Sequence, residues 1–318
     1  EGIPPFRNLL GHALVMNENG QQMHKSDGTA IWFEEAAEQV GVDTMRWMYC
    51  SQPPTQDLPF GLRHPDEEVD VEIPSETGSG TTTYTHTIDG ARFHRVTSTP
   101  ADETRRRVLL TLWNSYAFFC NYGRLDGFDP TTAAEVPVNQ RPDIDRWLLS
   151  ELQSVTQAAH DGFQSYDTAP VARAIESFID AMSNWYIRRN RPRFWKSEEE
   201  AKTQGEAGAK DKLAAYQTLH TALVTICKLA APIIPFVTDE MYQNLVRAVD
   251  PSAPESVHLA TYPSVTKDWI DRELSAEMNA VIRLVSLGRA VRSQHKIGVR
   301  QPLSRLLIVP RNDAERQA

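Results

Sequence analysis

From Ala101 onward the apolar positions recur at three- and four-residue intervals. Val108, Leu109, Leu112, Tyr116 and Phe119 form one such stripe, and Trp147, Leu148, Leu152 and Val155 a second. Ile175, Phe178, Ile179, Met182 and Tyr186 form a third; Leu219, Leu223, Ile226 and Ala230 form a fourth, which stops at Pro232. That spacing places each set on one face of a helix, and successive stripes with short connections predict a mainly α chain built as a helical bundle. A further helix is predicted from Leu274 to Val291, after a junction at Pro263. It gives way to HKIGVRQPLSRLLIVP, where β-branched residues return and the helical period lapses. Ser197 to Lys212 is polar, contains Gly205 and Gly208, and reads as an exposed loop.

Ahead of Ala101 the pattern differs. Leu14 to Met16 and Gln21 to Met23, joined by NENG, predict a short hairpin, because Asn-Gly supplies the positive φ of a tight turn. A helix is predicted around Phe33 to Val40, stopped by Gly41, and Asp43 is placed to cap the next one through Met45, Trp47 and Met48. Gln52 to Pro100 is rich in Pro, Gly, Ser and Thr. Within it Thr83 to Ile88 and Ala91 to Val96 flank Asp89-Gly90, a second hairpin signal. No internal repeat is present.

Composition narrows the functional classes. The 318 residues carry 33 basic and 42 acidic side chains, a net charge of -9, so a polyanion partner must be met by local basic patches. Cys50, Cys120 and Cys227 lie far apart and none has a metal-type neighbour two residues away, which argues against a zinc site or a disulfide framework; reduced thiols in a cytoplasmic protein are expected. No apolar run has membrane-spanning length and no signal peptide is visible, so no membrane partner is expected. The chain starts without Met, which leads us to expect a piece of a longer protein.

Three places offer chemistry. Lys25, in the stretch MHKSDG, can present a point charge beside the Ser26 hydroxyl to a polyphosphate, or can be a solvated loop lysine. The stretch NWYIRRNRPRFW continues the third stripe, whose phase puts Arg189 and Arg193 on the core face; Arg188, Arg191 and Lys196 flank them among Trp185, Tyr186, Phe194 and Trp195. Basic residues interleaved with aromatics suit RNA, and equally a cationic helix end that satisfies its own carbonyls. The run Arg283, Arg289, Arg292, Lys296, Arg300 and Arg305 holds no acidic residue, and fits a polyanion or a solvated helix face. His64, His86 and His94 gather around the second hairpin; His86 and His94, on opposite arms, read as a metal pair or, more simply, as exposed strand residues.

In this order the pieces resemble the isoleucyl-tRNA synthetase family of class I aminoacyl-tRNA synthetases. GHALVMNENGQQMHKSDG resembles the loop carrying the Lys-Met-Ser-Lys-Ser signature, and GVDTMRWMY the helix after it. RVLLTLWNSYAFFCNYGRLDGF, DRWLLSELQ, YDTAPVARAIESFIDAMSNWYIRRNRPRFW, LAAPIIPFVTDEMY, SVHLATYP and RSQHKIGVRQPL resemble successive blocks of the anticodon-binding region. The resemblance covers nearly the whole chain except about residues 59 to 100. It implies that Lys25 meets the β- and γ-phosphates of ATP, with Met23, His24 and Ser26 in the same loop. Gln22 and His24 stand where the first lysine and the serine of the signature usually do, so one of two loop charges is missing. The companion signature His-Ile-Gly-His is absent.

The resemblance further implies four parts: a distal edge of the catalytic domain with its small α/β remnant (1–58), an insertion with a β-hairpin (59–100), a helical anticodon-binding domain (101–265) and a C-terminal junction (266–318). Isoleucine tRNA is the implied partner, with contacts from Arg188, Arg189, Arg191, Arg193, Trp195, Arg292, Lys296 and Arg300. The parent would use ATP with Mg²⁺ and would supply the absent catalytic and editing domains; no metal site is expected in this chain. The chain is expected to be monomeric and inactive alone. A valyl or leucyl relative, or a freestanding RNA-binding module, are the rival readings.

Overall fold

Val15–Met16 (β1) finds its main partner far along the sequence. A computed structural model of the chain describes residues 9–17, 20–27, 30–60, 72–74, 81–83, 86–88, 91–93, 100–196, 203, 205–310 and 316. In it β1 pairs in parallel with Leu58–Pro59 (β2), while the predicted hairpin is reduced to a single antiparallel bridge between Met16 and Gln22. Asn17 draws that turn in: its carbonyl accepts from the Gly20 amide at 3.0 Å, and its side-chain oxygen accepts from the Gln21 amide at 2.8 Å. Between the two strands lie Phe33–Gln39 (α1) and Val42–Cys50 (α2), separated by Gly41 at φ +89°, a conformation that favours glycine. Ala36, Met48, Leu58, Phe60 and Ala101 form a small core, so Phe60 closes this unit two residues beyond residue 58.

The second predicted hairpin is present over a shorter span than predicted, and Thr83, expected in its first arm, pairs with Glu72 instead. His86–Ile88 and Ala91–Phe93 pair antiparallel, and Glu72–Pro74 pairs likewise with Thr81–Thr83. His64 and His94 lie outside the described residues.

The apolar stripes become helices around one large core. Pro100–Thr104 (α3) runs through a π-helical stretch, Arg105–Leu109, into Leu110–Leu125 (α4). Asp143–Gln164 (α5) and Thr168–Asp180 (α6) form a helical hairpin. A second π-helical stretch, Ala181–Ile187, leads into Arg188–Trp195 (α7). Gly205–Ala230 (α8), Pro235–Tyr242 (α9) and Arg272–Gln294 (α10) complete the bundle. Leu112, Leu148, Leu152, Ile175, Ile179, Met182, Leu219, Leu223 and Ile226 are fully buried at its centre, each such side chain contributing roughly 1.5–3 kcal/mol relative to exposure.

The expected exposed loop from Ser197 to Lys212 is corrected over its second half, because α8 begins at Gly205. Lys212 is buried there. Its ammonium pairs with Asp126 at 2.6 Å and donates to the carbonyls of Phe194 and Lys196, so α8 supplies the cation that satisfies the end of α7.

Two joints bind the small unit and the last helix to the bundle. Asp43 does not cap its own helix; its carboxylate accepts from the amides of Phe236 at 3.3 Å and Val237 at 2.7 Å, the first turn of α9. Arg46, one turn on, donates to the carbonyls of Pro232 and Ile233, both at 2.8 Å. Between them Trp47 enters the large core and Met48 the small one. At the other end Asp271 caps α10 by accepting from the Leu274 amide at 3.0 Å and from Arg146 at 2.8 Å, and both bonds hold its carboxyl below the usual range.

Candidate nucleic-acid interface

The π-helical stretch and α7 carry the arginine-rich sequence, and the structure divides its members sharply. Arg193 faces inward. Its guanidinium is 13% exposed and forms a two-pronged pair with Asp145, at 2.7 and 2.8 Å, while Asp145 itself is fully buried. Arg193 also pairs with Asp211 at 3.0 Å, and the Tyr186 hydroxyl donates to Asp145 at 2.7 Å. Burial works against the Arg193 charge, but the Asp145 carboxylate outweighs it and holds the proton more firmly than usual. Burial and the same carboxylate push the Tyr186 phenol well above its usual range, so it stays neutral and donates. This corrects the expectation for Arg193: it is part-buried with its donors committed to Asp145, Asp211 and Asn190, and it is unavailable to a phosphate.

The remaining arginines are outside. Arg188, Arg189 and Arg191 are exposed. Arg189 lies 3.7 Å over the Trp185 ring and Arg191 5.9 Å over Trp195. Trp185 is itself fixed, only 9% exposed and donating its indole N–H to the Met278 sulfur of α10 at 3.3 Å, whereas Trp195 is 56% exposed. The Arg189 guanidinium is thus held against an indole, which lowers the conformational cost of its meeting a ligand, while Arg191 lies at the outer limit of such a contact.

The C-terminal basic run splits too. Arg292 donates to the carbonyls of Gly298 and Gln301, both at 2.8 Å, and so braces the turn after α10. Lys296, at φ +53°, and Arg300 are exposed on that turn. Val299, Leu303, Leu306, Leu307 and Val309 follow with their side chains in solvent.

At the opposite end of the chain Lys25 begins a short 3-10 turn, Lys25–Asp27. Its ammonium lies 5.0 Å from the Trp32 ring centroid. Trp32 occupies the N-cap of α1 without a side-chain cap bond and is 56% exposed. His24 and Ser26 are exposed beside it, and Met23 is half-buried. Neither Trp32 nor the buried Arg141, which donates to Val136, Thr218 and Gln217, was visible as functional or structural in the sequence pattern. Among the described residues no group of three or more His, Cys, Asp or Glu side chains could hold a metal ion, and no helix is long and apolar enough to cross a membrane.

The fold and the site define a helical bundle that carries exposed arginines and indoles on one surface helix. Residues 145–307 match the family described as anticodon-binding domain of tRNA ligase, and the chain belongs to it. Residues 1–61 match tRNA synthetases class I (I, L, M and V).

Among individual proteins, the chain is similar to isoleucine–tRNA ligases. It is 37% identical to that of Dehalococcoides mccartyi strain CBDB1 and 36% identical to that of Thermus thermophilus, in each case over 99% of this chain and 26% of the relative. The enzyme of Cytophaga hutchinsonii is 38% identical over 95% of this chain and 23% of the relative. The chain therefore spans about a quarter of the length of these relatives. A solved LeuRS–tRNA–LeuAMS complex from Agrobacterium radiobacter K84 is only loosely similar, at 12% identity and a TM-score of 0.48 over 83% of this chain and 24% of that one.

Proposed function

We propose that the chain is the tRNA-recognising portion of an isoleucine–tRNA ligase, whose parent activates isoleucine with ATP and Mg²⁺ in the cytoplasm and transfers it to its tRNA. The observation that carries this reading is the exposed face of α7, where Arg188, Arg189 and Arg191 stand beside two indoles. Arginine contacts to phosphate position an RNA, and an exposed Trp195 offers a stacking platform for a base. Lys296 and Arg300 add a second basic surface, with Arg292 as its brace.

Lys25 is the residue for ATP in this reading. Its ammonium leaves the Trp32 ring to meet the β- and γ-phosphates as their charge grows in adenylate formation. Gln22 and His24 leave the loop with one charge fewer than the family signature. Mg²⁺ would arrive with the nucleotide, and isoleucine would be held by the parent's catalytic domain. The divisions at 58, 100 and 265 and a monomeric state belong to the same reading. The chain by itself is then inactive, and isoleucine-dependent pyrophosphate exchange by the purified chain would contradict that.

The test of recognition is fluorescence anisotropy of labelled isoleucine tRNA titrated at two salt concentrations, beside valine and leucine tRNAs and an anticodon-altered transcript. Preference for isoleucine tRNA that weakens with salt is the expected outcome. Equal affinity for all transcripts would leave a nonspecific RNA-binding module.

A further inference from the structure

A further cationic surface adjoins the start of the arginine-rich stretch. The π-helical turn Arg105–Leu109 and α6 enclose a groove of about 600 Å³, lined by Arg106 and Arg107 on one wall and by Arg173, Ser177 and Asn184 on the other. Two carboxylates also line it, and both are engaged: Glu176 pairs with Arg107, and Asp180 accepts from the Asn184 amide at 2.7 Å. Thr111 donates to the Arg106 carbonyl at 3.0 Å, a bond that serves the widened turn. Arg106 and Arg173 are both exposed and face the groove with guanidinium forks suited to phosphate oxygens. Ser177 adds a hydroxyl, and Asn184 keeps a second amide hydrogen.

The groove is not isolated. Arg173, Ser177, Asp180, Asn184, Arg188, Arg191 and Trp195 follow one another at intervals of four, three, four, four, three and four residues, and every one is exposed. Such spacing draws a single stripe along α6, the second π-helical stretch and α7. It runs for about 33 Å at the rise of a helix, from the groove to Trp195.

We propose that this stripe is a track for the tRNA sugar-phosphate backbone, with the Arg106–Arg173 groove as its far phosphate site. The proposal rests on the tRNA-binding reading above and extends it by naming a second site and the path between them. A polynucleotide is favoured over a small anion because the donors are strung along a line rather than converging on one point. It is favoured over an acidic protein because the line ends on the exposed Trp195 indole, a platform on which a base can stack.

The experiment is anisotropy with isoleucine tRNA and its anticodon-altered transcript across a salt series, comparing the 318-residue chain with the Arg106→Ala/Arg173→Ala variant. Backbone contacts carry no sequence information. Both transcripts should therefore lose affinity by the same factor, about five- to thirty-fold, and the slope of log K against log salt should fall by about 1–2. Circular-dichroism melts should be unchanged, because both arginines are exposed. An Arg106→Lys/Arg173→Lys variant should keep the salt slope. Wild-type binding with an unaltered variant affinity and slope would overturn the groove and leave the tRNA reading intact. Failure of the wild-type chain to bind either transcript would overturn both.

Discussion

Arg193 and Arg189 are four positions apart, and their surroundings assign them opposite duties. Removing the Arg193 side chain strands the fully buried Asp145 carboxylate, a change that costs about 3–5 kcal/mol in comparable buried pairs. Arg193→Ala should therefore lower the denaturation midpoint steeply, whereas Arg189→Ala, at the surface, should cost under about 1 kcal/mol and weaken tRNA binding instead. Chemical denaturation of the two variants, with anisotropy beside it, separates these effects. The helical phase of Tyr186 put both Arg189 and Arg193 on the core face; that holds for Arg193 and fails for Arg189, which is exposed just beyond the π-helical stretch that shifts the phase. The sequence could not disclose the partner of Arg193, because Asp145 sits 48 residues away on another helix. His220 is a second residue whose setting decides its chemistry. Burial against Phe119 and Phe128 pulls its pKa below the ordinary value, although a ring N–H bond to the Leu245 carbonyl at 3.0 Å partly opposes this. The unfolded chain then takes up a proton below about pH 6.5 that the folded chain refuses, so stability is full above that pH and falls as the pH is lowered. Urea titrations at pH 7.5 and 5.5 should show that loss in the wild type, at no more than about 1.4 kcal/mol per pH unit for one proton, and a smaller loss in His220→Gln.

Elements made by apolar stripes were legible, and those made by contact were not. The 3.6-residue period located α4 to α6, α8 and α10, because each buries a face long enough to repeat. β2 escaped because it is two residues long and exists through its pairing with β1, more than forty positions upstream. The first turns of α8 escaped because their residues are polar and Gly205 and Gly208 read as loop, while Lys212 is held by Asp126. Among the described glycines the closest approach of a neighbouring element is at Gly162, near the end of α5. A Cβ there would collide with the Val171 side chain on α6 and stand 2.7 Å from the Asp167 carbonyl oxygen. Gly162→Ala should cost about 1–3 kcal/mol by overpacking, even though alanine is the better helix former, and a thermal melt measures it. An unchanged or raised melting temperature would mean that the hairpin opens at no cost.

The molecule as a whole is a helical bundle with the signature-loop unit locked on by α2, and the family resemblance conveyed that order of parts. Ordered blocks such as the arginine-rich stretch and VRQPL made it readable, whereas the lock was hidden in contacts between Asp43, Arg46 and residues nearly two hundred positions on. Asp43→Ala removes the acceptor from the first turn of α9 and should cost about 1 kcal/mol. The effect should concentrate at the joint: hydrogen exchange should accelerate in α2 and at the start of α9 before the α5–α6 hairpin is affected. Uniform acceleration through the bundle would show that the joint and the core unfold together. Phe60 and Ala101, which flank residues 61–100, are both buried in the small core. Closing the span between them with a short flexible linker requires little reach, and lengthening it adds only slowly to the entropy of closure. Exchange of the residues between Phe60 and Ala101 for a short flexible linker is therefore expected to leave the thermal melt of the bundle unchanged, and a lowered melting temperature would show that the stretch supports the frame.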